Sequence, residues 1–276
     1  MDKTVVFVAY RTDNISCSWI PDDQPIIVVH NDDHLRPADV SHSTTTHIHA
    51  GANIGFGAAV NMAAAQTTTE RLVLCNPDTV LTNDHWDALD GNADEVVTIP
   101  LVDGDGQQTS VVSPYWTPLA LLAATFRLGT KLIPLGSRRR RIFGSVAPGW
   151  VRRQNEDLGT PGSWPLDSRW VSGAVMSIDR DRFLSVSGFD DRYFLYYEDT
   201  DLCSRLVEAH QNMTARMADC QPGIHAVGGS SATRNWKDPV EMLRRRAAVT
   251  YGANRPGLAW LPYRLADALL PQPPRP

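Results

Sequence analysis

Apolar residues in the first third of the chain come in short unbroken runs instead of alternating with polar ones. Residues 4–10, 25–30 and 71–75 are of this kind, rich in Val, Ile, Leu and aromatic side chains. Such runs predict strands buried on both faces of a parallel sheet. The third is stopped by Asn76-Pro77-Asp78, because proline cannot donate to a ladder. An alanine-rich stretch at 57–66 predicts a helix between them. This order is βαβ-like and predicts an α/β sheet with functional loops at the carboxyl ends of the strands.

Further on the pattern predicts a strand within 95–101, a turn at Asp103-Gly104-Asp105-Gly106, a helix over 118–128 and a long loop over 129–166. A strand is expected across 170–178 and a turn at Ser187-Gly188-Phe189-Asp190. Leu202, Leu206 and Ala209 have helical spacing within 199–210, and Val240, Leu243, Ala247 and Tyr251 mark a last helix. Residues 257–276 mix leucines and aromatics with five prolines, and read either as a wrapping tail or as a short interfacial segment.

Composition narrows the class. With 42% hydrophobic and 21% charged residues among 276, the chain is an ordinary globular sequence. No run approaches the ~18 apolar residues of a membrane span, and Met1-Asp2-Lys3 leads into a strand without a signal peptide's apolar region, so a cytoplasmic location is expected. Cys17, Cys75, Cys203 and Cys220 lack metal-site spacing and predict buried thiols. A formal charge of −5 offers nucleic acid no overall attraction. Two basic runs, Arg138-Arg139-Arg140-Arg141 and Arg244-Arg245-Arg246, stand out against it. Each reads as a solvated surface or as a site for phosphate or an anionic membrane.

Four segments carry candidate chemistry. Asp78 follows a predicted strand, where a carboxylate suits Mg²⁺ or Mn²⁺ holding a diphosphate, although Asn-Pro-Asp is also a good turn. Glu198, Asp199 and Asp201 follow the aromatic run Tyr193-Phe194-Leu195-Tyr196-Tyr197 where a helix begins; capping by Asp199 or Thr200 explains one or two of them, and a base for a hydroxyl explains the aromatic wall as well. His225 precedes Gly228-Gly229-Ser230 and could complete a metal site with Asp78. Gly55 and Gly57, some twenty residues before Asp78, mimic a dinucleotide fingerprint, but two strand-like runs precede them and Val60 fills the third glycine position.

Taken in this order, the segments resemble the family-2 glycosyltransferases of GT-A fold, and most closely their rhamnosyltransferase-like branch. The match runs from residue 4 to about 231 and is strongest at Asn53 to Asn61, at Asn76-Pro77-Asp78, and from Trp170 through Gly188-Phe189-Asp190 to Glu198-Asp199-Thr200-Asp201-Leu202. The resemblance implies an α/β fold with a Rossmann-like mixed central sheet flanked by helices. It implies one GT-A domain over 1–256, a nucleotide-binding half (1–100) followed by an acceptor and catalytic half (101–256), with 257–276 as a Pro-rich tail. It implies that Asp78 and His225 hold the cation, that Asp199 is the base, and that Tyr10, Asn31 or Asp32, Asn53 and Asn61 lie at the nucleobase and ribose. Trp170, Ser172, Gly173 and Ala174 would line the donor sugar, with Glu198 beside them. Two positions depart from the pattern: His30 stands where an aspartate is usual, and Ser187 replaces a glycine.

The implied reaction is inverting transfer of a sugar, from a dTDP-linked donor first and a UDP-linked one second, to a glycan, lipid-linked or small-molecule acceptor. The enzyme would be cytoplasmic or peripheral at the inner face of the membrane. The rival readings are an NAD(P)-binding oxidoreductase, a nucleotidyltransferase and a catalytically silent sugar-nucleotide-binding partner.

Overall fold

The computed structural model describes residues 2–33, 38–125, 160–226 and 238–270. Four strands, β1 (Lys3–Ala9), β2 (Ile26–His30), β3 (Thr45–His49) and β4 (Arg71–Cys75), run parallel to one another. Every residue of β1, β2 and β4 is buried, which is why their sequences do not alternate. The sheet continues through β11 (Val175–Asp179), antiparallel to both β4 and β6 (Glu95–Thr98), then β12 (Thr214–Met217) and β9 (Gly162–Pro165). The result is an eight-stranded mixed sheet in the order β3-β2-β1-β4-β11-β6-β12-β9. The expected α/β class with a mixed central sheet is what forms.

Two smaller sheets lie beside it. One pairs β8 (Val112–Pro114) with β10 (Arg169–Val171); the other is β5 (Thr79–Val80), β13 (Gly223–His225) and β7 (Leu101–Val102). The helices are α1 (Phe56–Ala64), α2 (Asp84–Ala88), α3 (Pro118–Thr125), α4 (Arg180–Ser185), α5 (Glu198–Ala209), α6 (Pro239–Ala253) and α7 (Leu261–Leu269), the last entered through a 3₁₀ turn at Leu258–Trp260.

Two cations are buried inside the sheet. Arg71 donates to Ser177 Oγ and to the carbonyls of Gly91, Asn92, Glu95 and Ser177. Lys3 Nζ donates to the Trp86 carbonyl and to Asp90, each at 2.7 Å. Full pairing makes such burial tolerable.

Several expectations are corrected. The run 170–178 is two strands, β10 and β11, because Ser172-Gly173-Ala174 turns the chain between two sheets. The run 95–101 is likewise divided between β6 and β7. Residues 261–269, where a wrapping tail or a short interfacial segment is expected, form the helix α7, which rules out an irregular tail and is the form an interfacial segment takes. It packs on α6 at Gly252, where an added Cβ would lie 2.5 Å from the Tyr263 ring. Arg244, Arg245 and Arg246 are not an open patch: the first two pair with buried Glu241, and Arg246 with Asp267. Arg138 to Arg141 and Gly228 to Ser230 lie outside the described residues. All four cysteines are free thiols, three of them buried and Cys220 partly so.

Candidate active site

The carboxyl ends of β1, β2 and β4 share one edge of the sheet, and antiparallel β11 enters the sheet at that edge opposite Cys75. Asn76, Pro77 and Asp78 leave β4 there, each partly exposed. β13 pairs antiparallel with β5, setting His225 opposite Thr79. That pairing brings His225 Nε2 to 3.2 Å from Asp78 Oδ1 and 3.3 Å from Asn76 Nδ2. The Ala226 amide donates to the Asp78 carbonyl at 3.0 Å and fixes the register. Residues 147 positions apart in sequence thus make a carboxylate–imidazole pair.

The donor set fits a divalent cation. Among the described residues no group of three His, Cys, Asp or Glu could hold a metal, so the protein would offer one carboxylate and one imidazole and leave other positions to phosphate oxygens. Mg²⁺ is commonly held by one or two carboxylates together with substrate phosphates, and carboxylate oxygen suits Mn²⁺ as well.

Asp199 stands in the second position of α5. Its Oδ2 accepts from the Gly173 amide at 3.1 Å, and its Oδ1 from the Thr200 amide at 2.7 Å. The same short turn reaches β4, since the Ala174 carbonyl accepts from the Asn76 amide at 2.9 Å. Residues 173–174 therefore brace both the Asp78 loop and Asp199. The helix is not capped by Asp199 or Thr200 as capping logic predicts. Its N-cap is Tyr197, which makes no side-chain cap bond, and Tyr196 and Tyr197 both have left-handed backbone (φ 72° and 67°). Left-handed non-glycine residues cost roughly 1–3 kcal/mol each and cluster at functional sites. Here they turn the chain sharply so that Glu198 and Asp199 open the helix.

Burial raises the proton affinity of both acids. Asp199 is held above the usual carboxylate range by desolvation, against the lowering effect of the Gly173 and Thr200 amides. Glu198 is pushed further, by desolvation and then by the charge of Asp199. Its Oε2 is buried with no hydrogen-bond partner among the described residues.

Tyr10 and Asp32 follow β1 and β2, and the Arg11 amide donates to Asp32 at 2.9 Å. Asn31 is buried and fully engaged: Nδ2 donates to Asn53 Oδ1 and to the Gly55 carbonyl, while Oδ1 accepts from the Ile54 amide. It holds the 53–55 loop and has no donor left for a base. Asn61 has a structural task among the described residues. Its amide exchanges two bonds with the backbone of Phe189, at 2.8 and 2.9 Å, and so pins the turn at Gly188. Trp170 donates its indole NH to the Pro114 carbonyl, and Ser172 Oγ accepts from the Ala174 amide at 3.4 Å, inside the same bracing turn. His30 is buried in a stack with His47 and His49, 2.8 Å from His47 Nδ1. Burial and the two neighbouring rings hold it below the usual imidazole range.

The dinucleotide reading fails on geometry. Gly55 and Gly57 serve close packing: a Cβ at Gly55 would lie 2.5 Å from the Phe194 carbonyl oxygen, and one at Gly57 2.7 Å from Phe189 Cβ. The Phe56 amide at the start of α1 already donates to that Phe194 carbonyl. The helix terminus that would meet a pyrophosphate is occupied by the protein's own chain. Sequence reasoning missed β13 and the brace through Ala174, because each depends on pairings between residues far apart.

The site thus combines a mixed sheet, a carboxylate–imidazole pair at one strand end and a desolvated acid at a helix start. Residues 160–226 match the family model described as the N-terminal domain of galactosyltransferase. More particularly, the chain is 31% identical over 172 residues to the N-acetylglucosaminyl-diphospho-decaprenol L-rhamnosyltransferase of Mycobacterium tuberculosis, across 58% of this chain and 52% of that protein. It spans about half the length of the curated relatives it matches. Similar solved structures are GalNAc-T7 with UDP, GalNAc and Mn²⁺ (11% identity, TM-score 0.49, 82% of this chain and 44% of that one) and S. aureus TarS 1–349 with UDP-GlcNAc (13%, 0.47, 94% and 68%). A third is the mannosyltransferase PcManGT of Pyrobaculum calidifontis with GDP-Man and Mn²⁺ (12%, 0.43, 97% and 83%). The resemblance read from the motifs, to rhamnosyltransferase-like glycosyltransferases, is borne out.

Proposed function

We propose that this chain is an inverting glycosyltransferase that moves a sugar, rhamnose by preference, from a nucleoside diphosphate to a hydroxyl of an acceptor glycan carried on a lipid diphosphate. The reading rests on one observation: the Asp78–His225 pair and Asp199 are braced through the same turn, by the Ala174 carbonyl and the Gly173 amide. The name of the mycobacterial relative supports the rhamnosyl donor and the lipid-diphosphate acceptor.

In this mechanism Tyr10 and Asp32 receive the nucleoside, and Asp78 and His225 are the residues that would hold a divalent cation. When bound, that cation would offset the charge gathering on the leaving diphosphate. Asp199 takes the proton from the attacking hydroxyl. Its raised proton affinity suits this task, since a base near the operating pH is the more effective one, and general-base assistance contributes roughly 10²–10⁴-fold. Residues 172–174 keep the base and the diphosphate site in register. A single displacement inverts the anomeric centre.

The test is a donor panel of dTDP-rhamnose, UDP-sugars and GDP-mannose, assayed for binding and hydrolysis with Mn²⁺, with Mg²⁺ and with chelator. The reading expects metal-dependent binding of one donor, and Asp78→Ala to weaken it only when metal is present. Equal donor binding by wild type and Asp78→Ala in Mn²⁺ would remove Asp78 from the site.

A further inference from the structure

The last helix has an outer face with no protein partner among the described residues. Leu258, Leu261, Leu265 and Leu269 are all exposed, Leu258 to 85% and Leu269 to 82%. Their spacing of three, four and four residues puts them on one side of the 3₁₀ turn and α7. The opposite side is anchored: Tyr263 is buried and donates to the Pro118 carbonyl at 2.8 Å, and Asp267 pairs with Arg246. The Tyr263 bond ties α7 to the start of α3, where Leu119 and Leu122 are exposed too. The stripe is therefore the outer surface of a docked helix.

We propose that this face lies on an anionic lipid bilayer. Charge favours that occupant over another acidic protein surface. Between residues 255 and 270 the one acid, Asp267, is turned inward to a cation, while Arg264 is exposed beside the stripe, on a chain whose total charge is −5. A helix with leucines along one side, a cation beside them and its acid turned inward is the kind that rests in a membrane interface. Binding to lipid requires no turnover, so this contact stands or falls separately from the transfer reaction.

The test uses the full chain and phosphatidylglycerol vesicles. Wild type is expected to co-sediment with them. The combined Leu258→Ser, Leu261→Ser, Leu265→Ser and Leu269→Ser variant should partition at least tenfold less, and Leu184→Ser, an exposed leucine on α4, should partition as wild type does. Hydrogen exchange on the wild type gives a reading that no variant's folding can confound: amides of 258–270 should slow when vesicles are added. Raising salt from about 0.1 M to about 1 M shortens the screening length from ~10 Å to ~3 Å, and binding should weaken accordingly. Wild type remaining in the supernatant, or the fourfold variant binding equally, would overturn the proposal. So would a wild-type dimer that the variant dissociates and vesicles leave untouched, which would assign the face to a second copy of the chain.

Discussion

Two aspartates two positions apart on α5 do different work. Asp199 keeps part of its residue surface exposed although its carboxylate is desolvated, and accepts two backbone amides, whereas Asp201 is buried, takes the Arg205 guanidinium at 2.7 Å and accepts from Tyr193 Oη at 3.3 Å. From sequence, Asp201 reads as a first-turn acid tolerant of change, but its burial reverses that expectation. Asp199→Asn should lower transfer by roughly 10²–10⁴-fold with donor binding kept and melting little changed, because the amide oxygen still accepts but the group cannot take a proton. Asp201→Asn should instead cost about 1.5–3 kcal/mol, a hydrogen bond to a charged partner. Melting, donor affinity and transfer measured on both variants separate the two roles. Glu198 gives a pH signature. Its raised proton affinity means that the native state keeps a proton the unfolded chain has released, so stability falls as pH rises from ~4.3 through the native value. Glu198→Gln should remove that fall, and denaturant unfolding at several pH values checks it.

At the scale of elements, contacts outweigh intrinsic preference at α6. Gly252 is inside a helix, where alanine is favoured by roughly 1 kcal/mol. A Cβ there meets the Tyr263 ring at 2.5 Å, and overpacking costs roughly 1–3 kcal/mol. Gly252→Ala should therefore loosen α7 from α6 and lower the melting temperature, while an increase would show that Tyr263 moves aside freely. Gly55 is stricter, with φ at 94° and backbone instead of a side chain in the way. Gly55→Ala should disturb the loop that Asn31 supports, weakening donor binding together with stability in thermal-shift titrations.

For the whole molecule, the pH dependence of transfer reports the desolvated base. In the proposed mechanism Asp199 must lose its proton to act, and burial holds its affinity above the usual carboxylate range. The acidic limb of kcat should thus lie above ~3.9, the ordinary aspartate value, and disappear in Asp199→Asn. A limb at the ordinary value would mean that solvent reaches the group freely. Among the described residues no helix is long and apolar enough to cross a membrane. Helix α7, among those residues, carries a row of exposed leucines.

The sequence alone determined the buried parallel strands, the α/β class and the family resemblance, because unbroken apolar runs and ordered motifs are local signals. It marked Asp78, Asp199 and His225 as chemistry-bearing, since carboxylates after strands and aromatic runs need an explanation. Only the tertiary structure decided what joins them. Asn31 and Asn61 read as ligand contacts, yet each spends its amide on a neighbouring loop, and nothing in their own neighbourhoods in sequence distinguishes the two uses. The Arg244 to Arg246 run looked like a patch until Glu241 and Asp267 folded against it. His225 meets Asp78 through the β5–β13 pairing, and Asp199 meets Gly173 across the turn between β10 and β11. Charge partners and strand register are long-range quantities, fixed when distant segments pack, so they leave no pattern in any one window of the chain.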